Sequence, residues 1–425
     1  MRGRLGRLLR AVTVDVDLLR RRRELRLLII GQATSGLGSM ITFVALPVQT
    51  YELTRSTVAV GLLGLAEFVP ILVLALLGGA MADAFDRRRL VMLAEVGATL
   101  VVAGLVVNSL LPEPQLWVLY VAAALIAACT AIRRPPMDAL MPQLVERDEL
   151  KAASALQWGI HGVAQMAGPA IAGVLIVTAG AAVTYAVDLA TFLVSIASLV
   201  AMRTPPPRER QALGMRAIAE GLRYARSRQE LVGTYAVDIT AMFFGMPMAL
   251  FPALAERYGG GAVVGLLYAA PSAGAVVATL TSGWTRRIHR HGRAVVLAAV
   301  GWGVAIVGFG LAPDLWLALL CLALGGGSDA ISGVFRATIW NETIPTRLRG
   351  RLAGVEMISW TAGPLLGNAE AGIASALVGL RTSVVAGGVM CVAGSIALAA
   401  LLPRLWSYDA RHGATARPED LIEAR

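Results

Sequence analysis

The chain has 425 residues, 56% hydrophobic and only 16% charged, with 38 Lys and Arg against 28 Asp and Glu. So apolar a composition excludes an ordinary water-soluble domain, and apolar stretches of about twenty residues without a Lys or Arg suit α-helices that cross about 30 Å of hydrocarbon. These stretches lack the alternation of polar and apolar residues that a membrane barrel carries.

Residues 1–26 form an Arg- and Leu-rich arm with no separate short apolar core and no small-residue cleavage site, and a cytoplasmic or interfacial position is expected for it. Hydropathy then places twelve spans near 27–50, 57–81, 90–111, 115–133, 153–177, 183–203, 230–255, 262–285, 293–312, 316–334, 352–378 and 382–403. The expected organisation is a six-helix half over 27–203, a cytoplasmic linker over 204–229, a second six-helix half over 230–403 and a cytoplasmic tail over 404–425. All 38 basic residues except Arg55, Arg257 and Arg381 fall on segments on the same side as the termini, and none falls in mid-membrane. The positive-inside rule then puts both termini in the cytoplasm. Headgroup-facing segments also account for the net charge of +10 without any nucleic acid.

Cys129, Cys321 and Cys391 lie on three different spans, and His161, His289, His291 and His412 form no cluster, so neither a disulfide framework nor a metal site is expected. The phosphate-loop pattern GxxxxGK[ST] is missing and Lys151 is the single lysine, which argues against ATP-driven transport by this chain. No paired acids or histidines gather at one membrane face as a catalytic set, so no enzyme activity and no cofactor is expected.

The chain repeats itself. Val60 to Gly104 aligns without a gap on Val264 to Gly308, matching Val60 to Leu63 with Val264 to Leu267, Gly79 with Gly283, Arg89 with Arg293 and Gly97 with Gly301. Weaker echoes follow, Pro142 with Pro345 and Gly168-Pro169 with Gly363-Pro364. Two homologous halves of the same orientation imply parallel repeats about an axis normal to the membrane, with a site near the midplane and alternating access by rocking.

Between spans two and three stands GGAMADAFDRRR, Gly78 to Arg89. Gly79 permits close helix contact, Asp83 can meet the positive end of a facing helix, and Arg87, Arg88 and Arg89 supply partners for carboxylates and headgroups. This segment resembles the GxxxDxxxRR loop signature of the major facilitator superfamily, and nearly the whole chain resembles its drug and siderophore exporter branch, which includes macrolide efflux and enterobactin exporters. The resemblance implies an all-α fold of twelve transmembrane helices in two six-helix halves, with the loop as a cytoplasmic latch that breaks and re-forms during transport. Ala84 replaces a residue that is usually basic, and the second copy around Trp284 to Arg293 has lost its acids, so the latch would lean on Asp86. In span five, Gly168, Pro169 and Gly173 belong to a stretch resembling the GPxxGG antiporter signature, with Ala172 in place of one glycine, which favours export; Gly363, Pro364 and Gly367 repeat the bend in span eleven.

An ionisable group in lipid is costly and asks for a reason. Asp238 in span seven is the first candidate for binding a proton or a cationic substrate, the alternative being a carboxylate paired with a loop arginine. Gln157, His161 and Gln165 share one stripe of span five; Gln32, Ser35, Ser39 and Thr42 share one of span one. His161 could relay protons or serve as a hydrogen-bonded structural residue. In span eleven Glu356 and Glu370 share a face, Glu370 being the deeper; Glu67, Asp188 and Asp329 also lie within spans, and Asp329 is expected to pair with Arg336. Met242, Met246 and Met248 near Asp238 suit a deformable apolar pocket. The expected function is a proton-coupled exporter of a small amphiphilic molecule, acting as a monomer in the bacterial cell membrane, with its substrate, protons and the lipid bilayer as its partners. The alternatives are a proton-coupled uptake symporter on the same fold and a non-transporting receptor.

Overall fold

The structure, a computed structural model, describes residues 17–84, 86–203 and 223–413. Among them there is no strand. Helix α1 (Asp17–Arg21) leads into α2 (Arg23–Thr54), α3 (Thr57–Ala84), α4 (Arg87–Leu110), α5 (Leu116–Leu140) and α6 (Leu150–Ala201). A second series holds α7 (Gln229–Gly245) with its continuation α8 (Phe251–Arg257), then α9 (Val263–Leu280), α10 (His291–Leu311), α11 (Leu315–Thr343), α12 (Thr346–Val378) and α13 (Leu380–Leu401). Short helices α14 (Pro403–Trp406) and α15 (Ala410–Gly413) follow. Ten helices among the described residues are long and apolar enough to cross a membrane.

The 52-residue α6 would extend for about 78 Å at 1.5 Å per residue, more than twice a bilayer core. It is broken at Gly180, whose φ of 80° and ψ of 173° suit glycine and strain other residues. Gly379, with φ 87° and ψ 154°, makes the matching break between α12 and α13. Each glycine lets a helix double back without a loop. The helix α12, with 33 residues, carries Glu356, Asn368 and Glu370 along its length.

Within the first series α2 packs on α6, α3 on α5, and α4 on both α5 and α6; within the second, α10 packs on α11 and α13, α9 on α11, and α7 on α12 and α13. Two principal pairings cross between these groups, α3 with α12 and α6 with α9. The outward faces are apolar: Leu93, Leu100, Val107 and Leu110 form an exposed stripe along α4. Such a stripe needs lipid tails as its solvent.

Two helices outrun their expected ends. Span four was expected to stop at 133 and span ten at 334, but α5 continues to Leu140 and α11 to Thr343. Arg133 and Arg336, expected at the end of span four and in the loop after span ten, each stand seven residues, or about 10 Å, from the C-terminal end of their helices. Hydropathy stops at an arginine, whereas a buried carboxylate opposite it lets the helix run on.

Candidate functional site

Arg336 on α11 is mostly buried and forms an ion pair with Asp238 on α7, whose side chain is only 5% exposed. The same guanidinium donates to the Asp329 Oδ1, 3.2 Å away and two turns earlier on α11. The expected pairing of Asp329 with Arg336 is present, and Asp238 is held by the same arginine. Asp238 is thus not an open carboxylate in a vestibule. Its second oxygen, Oδ2, is buried with no hydrogen-bond partner.

The first series has a counterpart. Arg133 on α5 pairs at 3.1 Å with Glu95 on α4, a side chain with no exposure, and its Nη1 lies 3.5 Å from the Ser35 hydroxyl on α2. Arg133 and Arg336 are 203 residues apart, the same spacing as Pro142 and Pro345. Each arginine reaches the first long helix of its own group, Ser35 on α2 and Asp238 on α7.

Around these pairs lies a polar layer drawn from both groups. The Gln157 side chain donates to Gln32 at 3.3 Å, which joins the span-five stripe to that of span one, and Gln165 meets His161 at 2.8 Å within the span-five stripe. Arg134 stacks on the Trp360 indole at 4.3 Å, joining α5 to α12. Glu356 lies in the field of Arg134 and Arg336, and His161 in that of Arg134 and Arg133. Glu67 and Glu370 are half-buried and make no hydrogen bond or ion pair among the described residues. Met242 is buried and packs against Gly363 between α7 and α12.

The loop signature does local structural work where it is described. Asp86 caps α4, accepting from the Arg89 amide at 2.9 Å. Arg88 donates to the Leu199 carbonyl at 2.8 Å and to that of Val200 at 3.1 Å, closing the C-terminal end of α6. Arg89 is exposed. The surroundings of Gly79 and the side chains of Asp83 and Arg87 lie outside the described residues.

Pro169 and Pro364 sit inside α6 and α12. Gly168 lies against α2 and Gly363 against α7, where a methyl group would come within 3.2 Å of the Leu37 and Ile239 carbonyls respectively. Gly367 also faces α7, at the Phe243 carbonyl. Gly173 meets Gly265 of α9 so closely that a methyl on Gly173 would stand 2.7 Å from the Gly265 Cα. The antiporter-like stretch is therefore a helix-packing surface joining the two groups.

Glu95, Arg133, Arg134 and Trp360 were not singled out as site residues from the sequence, and Arg336 was read only as the partner of Asp329. Glu95 was a visible acid inside an apolar stretch; the arginines were hidden by their assignment to cytoplasmic loops.

The chain is similar to the enterobactin exporter EntS of Citrobacter koseri, 31% identical over 372 residues that cover 86% of this chain and 87% of the relative. It is 30% identical to that of Escherichia coli O81 over the same shares. Among solved structures, a bacterial homologue of the human lysosomal transporter Spinster, in an inward-facing and unoccupied conformation, matches with a TM-score of 0.70 at 16% identity, covering 91% of this chain and 97% of its own. A POT family transporter in complex with a thioalcohol-conjugated peptide matches with a TM-score of 0.72 at 10% identity, covering 90% and 96%. The fold is that of the major facilitator transporters, and the chain is a multi-pass transporter of the bacterial cell membrane, not an enzyme. The family described as transmembrane secretion effector matches residues 19–424, and the chain belongs to it.

Proposed function

We propose that the chain is a proton-coupled exporter of a small amphiphilic organic molecule of the drug or siderophore type. The observation that carries this reading is the single Arg336 guanidinium shared by Asp238 and Asp329. Two carboxylates against one buried arginine leave an unbalanced negative charge on a group whose Asp238 side is shut from water, and one bound proton removes it. Releasing that proton makes the group anionic, and the charge must then be met by movement or by ligand. Because Asp238 is already ion-paired and buried, the proton reading is favoured over direct binding of a cationic substrate. The polar layer of Gln32, Gln157, His161, Gln165, Arg134, Trp360 and Glu356 is the proposed substrate contact, with Glu67 and Glu370 as further acids along the helices that join the groups.

Alternating access follows if residues 27–203 and 230–403 rock as two six-helix halves, α6 counting as two crossings, with both termini cytoplasmic. Close backbone approaches between the groups support a cavity open toward the termini: Gly61 and Gly64 against α12, and Gly173 against Gly265, all in the half of the bundle away from the termini. Arg55 pairs with Glu256 at the same end. The likeness to enterobactin exporters makes a siderophore the first probe. Everted vesicles with an acidic interior should lose part of their pH gradient when the transported compound is added, and an Asp238→Asn variant should not. If siderophores, macrolides and lipophilic cations all leave the gradient of folded parent protein untouched, export by proton exchange is refuted.

A further inference from the structure

Asp188 on α6 is 1% exposed, deep between α6 and α2. Its Oδ2 accepts from the Thr42 hydroxyl. The Thr191 hydroxyl lies 2.7 Å from the Asp188 backbone carbonyl and 3.1 Å from the Asp188 Oδ1. A hydroxyl has one proton to give. If Thr191 gives it to the closer carbonyl, two bare oxygens face each other at 3.1 Å, unless the Asp188 carboxyl is itself protonated and donates from Oδ1 to the Thr191 oxygen. Its hydrogen-bond partners are hydroxyls, with no cation among them. Gly38 on α2 permits this arrangement, since a methyl there would run into both Thr191 and Asp188.

The charged groups whose fields reach Asp188 are Glu95 on α4 and Arg133 on α5. Glu95 is wholly buried, and while Oε1 takes Arg133, Oε2 has no partner. Two carboxyls and one guanidinium are electrically balanced with one proton between them. We propose that Asp188 is a second proton site, its carboxyl protonated and donating from Oδ1 to the Thr191 hydroxyl while Arg133 stays paired with Glu95. Any part it plays in transport rests on the proton-coupled reading above; the protonation itself does not.

The test is infrared spectroscopy of the full chain in lipid nanodiscs, with and without ¹³C-carboxyl aspartate. The parent should show a protonated-carboxyl band that shifts on aspartate labelling, is lost in Asp188→Asn and survives in Asp238→Asn. Thr42→Val should raise its frequency, because the carbonyl oxygen loses a hydrogen bond. Glu95→Gln should abolish it, because Arg133 is then left to Asp188 alone. A band unchanged by both Asp188→Asn and Thr42→Val overturns the proposal, as does the lack of any aspartate-derived component in folded parent protein. Since no substrate is added, failure of the export reading would leave the band in place.

Discussion

Replacing Arg336 separates the shared-arginine arrangement from an ordinary ion pair. In Arg336→Leu the 5%-exposed Asp238 loses its counter-charge while Asp329, 41% exposed, keeps partial access to water. Removing one partner of a buried pair costs roughly 3–5 kcal/mol, because the remaining charge has no compensation. In Asp238→Asn the arginine keeps Asp329 at 3.2 Å, so the loss reduces to a poorly satisfied buried donor, roughly 1–3 kcal/mol. The double variant carries no unpaired buried cation or carboxylate on this pair and should also lie within roughly 1–3 kcal/mol of the parent, which makes the two sites strongly non-additive. Equilibrium unfolding in mixed micelles measures all four proteins. The reasoning is refuted if Asp238→Asn costs as much as Arg336→Leu, or if the two losses add.

At the contact of α6 with α9, a methyl at Gly173 would be 2.7 Å from Gly265 where ordinary contact begins at 3.4 Å, so Gly173→Ala must part the helices by about 0.7 Å or more. Spin labels on the adjoining ends of α6 and α9 should report longer distances, and an unchanged distribution would show that this contact does not hold the groups together. At the end of the bundle that carries α1, the Glu149 carboxyl is held below its ordinary range, first by the Glu146 backbone amide at 3.1 Å, with burial opposing next and Arg22 then adding to the lowering. A depressed carboxyl stabilises the folded state above its unfolded value, and the contribution is lost as pH falls through the folded one. A spin label at Leu19 should therefore become more mobile on acidification, and at neutral pH in Glu149→Gln; mobility independent of both would remove Glu149 from the anchoring of α1.

Hydropathy located the helices because lipid rewards long apolar runs whatever they pack against, and the gap expected between 177 and 183 contains the Gly180 break. It misplaced the ends of α5 and α11 because an arginine looks the same to a hydropathy scale in a loop or opposite a buried acid. Asp329 and Arg336 were legible as a pair because seven residues make two turns of one helix. Asp238 lies 98 residues from Arg336, and no local pattern joins them. The glutamine stripes were visible as helical faces, but that Gln157 would meet Gln32 depended on α2 packing against α6. The latch residues were carried by resemblance, and two of those described, Asp86 and Arg88, serve as helix caps.

The two arginine sites differ in a way that bears on which of them senses rocking. The arginines hold equivalent places on α5 and α11, but their acids come from different helices: Glu95 lies on α4, whereas its repeat-equivalent Ala299 has no charge and the second group uses Asp238 on α7 instead. Helix α4 packs on α5 and α6 within its own group, so Glu95 and Arg133 stay together when the groups move as bodies. Helix α7 packs against α12, which also bears on α3 of the other group, and the segment after α7 touches α3 as well. Any rocking that shifts α3 against α12 therefore bears on the surroundings of Asp238 through α12, and any that shifts α6 against α9 bears on those of Glu95 through α6. Charge balance is kept in both groups, and each arginine site lies one helix away from the other group, with the segment after α7 against α3 and the Arg134–Trp360 stack as direct links. On the proton-coupled reading proposed above, the Arg336 group, whose two acids come from two helices, is where proton release would meet movement, and Asp188 would hold its proton within one body.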